Sequence, residues 1–167
     1  VSEPSLPDGR GDSSSVPSLY VWAGGAEALA RLTERFYERV RADALLGPVF
    51  ERMSAAHPTH VAHFLGEVLG GPPRYSGERG GHPEMVRHHL GRHLTEAQRR
   101  RWTELLLDCA DEVKLPEDPE FRSAFVAYVE WGSRLAVINS REGVSVDLEA
   151  PMPVWGWGVP GGPYRPG

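Results

Sequence analysis

A single cysteine, Cys109, stands among 167 residues, so no internal disulfide can form, and the pattern points to a reducing compartment. Long apolar runs are missing too. No stretch approaches the roughly 20 residues of a membrane span, and no charged-then-apolar leader opens the chain. Nor is there an excess of basic residues: a formal charge of −5 offers no electrostatic footprint for nucleic acid. Alternating polar and apolar residues, the mark of half-buried strands, are absent as well. What remains is an all-α chain, 40% apolar, expected in the cytoplasm.

The helical pattern is bounded by two tails. "VSEPSLPDGRGDSSSVPS" is rich in Ser, Pro, Gly and Asp and has too little apolar surface to offset its ordering entropy. Residues 1–19 therefore read as a disordered extension, and the Arg10-Gly11-Asp12 triplet as a chance match to an adhesion motif. Residues 142–167 form a second extension, too rich in Pro and Gly to be helical, with Trp155 and Trp157 as surface anchors. Between them, residues 20–141 read as one domain. Leu29, Leu32, Phe36 and Val40 recur at helical steps over about 26–41, with Tyr37 at the edge of that face. Pro58 suits a first helical turn, followed by Val61, Phe64, Leu65 and Val68 and stopped by Gly70-Gly71-Pro72-Pro73. Pro83 opens a short helix reaching His89 or Leu90. Thr95 and Gln98 make a capping box before Trp102, Leu105, Leu106, Cys109 and Val113. Asp118-Pro119 starts the last helix, along which Phe121, Phe125, Tyr128, Gly132 and Leu135 align.

All seven histidines fall between His57 and His93, which marks the middle of the chain as the lining of a site. His57, His60 and His63 in "HPTHVAH" lie three apart, and such neighbours on a helix can share a divalent metal. Carboxylates or cysteines at matching positions are missing, so a solvated helix edge is the plainer reading. His82 before Pro83 suits a turn, and His93 beside the capping box faces solvent. A third arrangement needs one histidine ligand and an apolar slot, as heme does. Phe36, Tyr37, Phe50, Val61, Phe64, Leu65 and Trp102 supply such a slot, and buried Tyr and Trp tips need polar partners.

"YVWAGGAEALARLTERFYERV" resembles the opening of the truncated hemoglobins, "LGGPPRYSGERGGHPEMVRHH" the loop and proximal helix of their second group, and "LTEAQRRRW" the helix after it. The resemblance covers about residues 20–140. It implies a truncated globin fold, a two-on-two helical sandwich around heme b. It also implies that the proximal ligand is His89, seven residues after His82 and thirteen before Trp102, rather than His88. Tyr37 and Trp102 match the family's hydrogen-bond donors to bound ligand, and Phe50 its heme-packing aromatic. Phe36, Val61, Phe64 and Leu65 fall to the heme pocket, and His60 and Arg87 to the heme propionates. His57 matches a distal position four residues before Val61, where a pocket role and a solvent-facing cap both stay open.

The implied ligands are O₂, NO, CO or peroxide, with a reductase as partner and a monomer or homodimer as the assembly. Donors in a dry site favour firm O₂ binding and slow release, which suits NO oxidation or peroxidase-type chemistry better than oxygen transport. A heme-based sensor and a non-heme, histidine-rich metal protein remain as alternatives at this point.

Overall fold

The computed structural model describes residues 16–158, and no strand occurs among them. The Arg10-Gly11-Asp12 triplet and most of the expected N-terminal extension lie outside the described residues. Helix α1 spans Leu19–Ala23 and α2 Gly25–Ala42. A 3-10 turn at Gly47–Phe50 leads to α3, His57–Val68. Two short helices follow, α4 at Arg74–Arg79 and α5 at His82–His89. The long helices α6, Glu96–Glu112, and α7, Pro119–Asn139, complete the set. Packing joins α2 with α3 and α6 with α7, and α2 bridges the two pairs through α6.

The expected stripe on α2 is the centre of the core: Leu29, Leu32, Phe36 and Val40 are all buried. Burying each such side chain is worth about 1.5–3 kcal/mol. Tyr37 is buried as well rather than at the edge, because α3 and the 3-10 turn cover it. The capping box on α6 forms as the sequence predicts, with Gln98 N–H donating to Thr95 and Thr95 N–H to Gln98. The Asp118 side chain accepts from the Phe121 N–H and so starts α7. Arg99 sinks between α6 and α7, bonded to Glu96, Glu130 and the Ser133 hydroxyl.

The N-terminal boundary lies earlier than expected. Ser18 caps α1 through its hydroxyl, and Leu19 is only 1% exposed, so both belong to the domain. Residues 142–158 of the C-terminal extension are non-helical, as their Pro and Gly content predicts, yet they are fastened down. Trp155 N–H donates to the Val68 carbonyl at 2.8 Å, and the Trp157 indole donates to the Pro17 carbonyl at 2.7 Å. The Trp155 ring lies on Tyr128 and Trp131.

Candidate functional site

Helices α3 and α5 do not pack extensively on one another; they form walls of a cavity of about 470 Å³. From α3 come His57, His60, Val61, Phe64 and Leu65, and from α5 come His82, Met85, Val86 and His89. Tyr37, Phe50 and Trp102 close it on one side, and Tyr128, Trp131 and Leu135 of α7 on another. Volume and apolar lining match a cofactor site, which typically takes about 300–1,000 Å³. A smaller hollow of about 300 Å³, past Thr33, Thr59 and His63, shares no lining residue with it.

His89 sits in the last turn of α5, and its ring Nδ1 lies 2.8 Å from the Met85 carbonyl one turn back. A carbonyl can only accept, so Nδ1 carries the proton and Nε2 keeps its lone pair for a metal. Burial holds this imidazole below its ordinary pKa, which keeps it neutral, the ligating form. His88 also reaches the cavity, but its Nε2 lies 3.2 Å from Glu84 and its side chain is half exposed. A single helical step of about 100° separates the two roles.

The His57 Nε2 lies 3.0 Å from the Tyr37 hydroxyl, and the two rings meet edge-on with centroids 4.7 Å apart. The cap of α3 is Ala56, and the bond to buried Tyr37 turns His57 toward the cavity rather than to solvent. Burial, reinforced by nearby cations and imidazoles, lowers its pKa from 6.5 to about 4. Burial also raises the Tyr37 phenol, which stays a donor at neutral pH. Phe36 stands behind this pair, edge-on to both Tyr37 and Trp102.

Two expected pocket residues are not there. Phe36 is fully buried in the core and does not line the cavity; it acts by holding Tyr37 and Trp102. Arg87 lies on the outer face of α5, beside Glu84, and is exposed. Arg79 and Arg92 line the cavity instead, with His60. Burial, then the Arg79 charge, lowers the His60 pKa. The Arg79 Nε is buried without an acceptor, and so is the His82 Nδ1 without a partner. Such orphaned atoms are uncommon in native folds and point to a polar partner not supplied by the chain. Sequence reasoning placed His82 at a turn; its position as the first residue of α5 is compatible with that, but its ring faces inward. His63 turns away to Glu78 at 3.1 Å, which separates it from His57 and His60. Among the described residues no three His, Cys, Asp or Glu side chains converge as a metal site.

The family model for bacterial-like globins matches residues 18–130. The group 2 truncated hemoglobin YjbI of Bacillus subtilis is 36% identical over 118 residues, 71% of this chain and 86% of the relative. Among solved structures, the truncated oxygen-avid haemoglobin from Bacillus subtilis superposes with a TM-score of 0.64 at 31% identity, covering 72% of this chain and 99% of that one. The group II truncated hemoglobin of Bacillus anthracis, at 21% identity and a TM-score of 0.68, shares the fold over 78% of this chain and 98% of its own.

Proposed function

Because the chain belongs to the bacterial-like globin family, and so binds small ligands through heme, we propose that it holds a b-type heme on His89, keeps O₂ firmly, and oxidises NO or turns over peroxide. One observation carries this reading. The Tyr37–His57 pair and Trp102 line the same cavity as the free Nε2 of His89.

When bound, heme supplies an iron that accepts a diatomic ligand and exchanges electrons with it. The chain does the rest. Met85 fixes the His89 ring so that Nε2 is presented as a lone pair. Neutral His57 can donate from Nε2 to the Tyr37 oxygen, which leaves the Tyr37 proton for a ligand. Trp102 lines the same cavity and carries a second N–H. Donors fixed beforehand in a dry site stabilise negative charge that develops on a ligand. Val61, Phe64 and Leu65 keep that site apolar. Arg79, Arg92 and His60 give it a cationic rim suited to the heme carboxylates, and the Arg79 Nε stands ready as a donor.

Firm holding is supported by the relative whose structure is that of an oxygen-avid haemoglobin. Slow release suits oxidation of NO to nitrate, or reduction of peroxide, with electrons returned by a separate reductase.

Stopped-flow measurement of O₂ dissociation tests the donor network. Tyr37→Phe and Trp102→Phe should each speed release about ten- to a hundred-fold, since a hydrogen bond to a charged acceptor is worth roughly 1.5–3 kcal/mol. The double variant should lose less than the sum if both donors address one ligand. His57→Leu should speed release too, because the Tyr37 hydroxyl then loses the donor that leaves its proton for the ligand. Unchanged rates in both donor variants would overturn the network. Mixing the oxygenated protein with NO should yield nitrate, and no nitrate would remove the dioxygenase reading.

A further inference from the structure

The segment after α7 lies beyond the part of the chain matched by the family model, which ends at residue 130. We infer that residues 142–158 are part of the heme-binding site: a staple that completes its wall and governs how tightly the heme is kept. The inference rests on the reading of the His89 cavity as the heme site.

Three observations place the staple. Pro153 itself lines the cavity, beside Tyr128 and Trp131 of α7. Two residues on, Trp155 backs both of those side chains, with ring centroids 5.7 Å from Tyr128 and 5.6 Å from Trp131. The Trp155 N–H then binds the Val68 carbonyl at the end of α3, the helix that carries His57. A single short stretch thus touches the cavity, the α7 side chains that wall it, and the α3 wall.

Its C-terminal flank is held as well. Trp157 donates to the Pro17 carbonyl and meets Trp22 edge-on at 6.1 Å, while Trp22 donates to Asp118 at the start of α7. Tyr128 is buried, but Trp131 is 41% exposed even with Trp155 on it. Without the Trp155 ring both side chains lose their backing, and the apolar wall opens to water. A cofactor held by apolar burial and one axial bond escapes faster through a wall that opens.

The test uses the full chain. Transfer of heme from the ferric protein to excess apomyoglobin is followed by absorbance for the parent, Trp155→Ala, Trp155→Phe and Leu115→Ala. Trp155→Ala should lose heme at least tenfold faster, and Trp155→Phe, which keeps an aromatic ring on Tyr128 and Trp131, should recover most of the difference. Leu115→Ala empties a buried core position that does not line the cavity and should keep heme nearly as well as the parent. Equal rates for Trp155→Ala and the parent would overturn the proposal. So would equal acceleration in Trp155→Ala and Leu115→Ala, because retention would then follow general stability. In heme-free protein, a hydrophobic dye should enter the cavity more readily in Trp155→Ala than in the parent. Increased dye binding with no uptake of heme by the parent would sink the heme reading and leave the staple standing.

Discussion

Nδ1 of His89 is committed to the Met85 carbonyl and Nε2 is free, whereas the Nε2 of His88 faces Glu84. His89→Ala should therefore abolish the normal axial spectrum or the retention of heme, and His88→Ala should leave both nearly unchanged. The opposite result in absorption spectra would place the ligand one residue earlier. The same cavity sets a pH dependence for the heme-free protein. His57 has a folded pKa of about 4 against an ordinary 6.5, so the unfolded chain binds the proton more readily. The stability contributed by neutral His57 is fully present above about pH 6.5 and is lost as pH falls toward about 4. His60, His82 and His89 are shifted in the same direction by burial. Denaturation of the heme-free protein should show this decline, and His57→Leu should make it shallower. The sequence pointed to His89 only through the family resemblance, whose motifs on either side count to it; its bond to Met85 and its place on the cavity carry no local signal. Phe36 and Arg87 were misplaced because helical spacing gives a face, while the helix packed against that face decides between core, cavity and solvent. Arg79, Arg92 and the inward His82 left no periodic signal at all.

The join between α1 and α3 shows why glycine recurs at the end of α3. A Cβ on Gly71 would stand 2.7 Å from the Gly66 carbonyl oxygen and 2.7 Å from the Tyr20 ring. Gly66 has its own Cβ position 3.2 Å from the same ring. Tyr20 is further fixed by its N–H bond to the Leu69 carbonyl. Gly71→Ala should cost about 1–3 kcal/mol, the usual effect of overpacking, measurable as a lower denaturation midpoint. A neutral result would mean that the end of α3 can shift freely. The longer helices could be read from the sequence because two or more turns reveal their period and their caps are explicit. α1, α4 and the 3-10 turn run to only 5, 6 and 4 residues, too short for periodicity to speak. α4 is instead held from outside, by Glu67 of α3 accepting from the Ser76 backbone and hydroxyl.

At the scale of the molecule, both ends of the described chain meet. Composition made the first residues look dispensable, and that expectation needs a sharper boundary. Deleting residues 1–15 should shift stability by no more than about 0.5 kcal/mol. Deleting residues 1–19 also removes the Ser18 cap, buried Leu19 and the Pro17 carbonyl that Trp157 uses. That longer deletion should cost several kcal/mol, roughly 1 from the cap and 1.5–3 from the leucine before any other loss. Thermal melting of the two variants checks the difference. The tail's anchoring was half visible: its tryptophans marked it as sticky, but their partners lie far away in sequence, where no local pattern reaches. The Trp157–Pro17 bond spans 140 residues and the Trp22–Asp118 bond 96. Contacts of that separation form late, because a long loop must close first. During synthesis α2 and α3 can pair as soon as both have left the ribosome, but the clasp must wait until residue 157 has emerged. The expected order of assembly is therefore helices first, and the clasp between the two ends last.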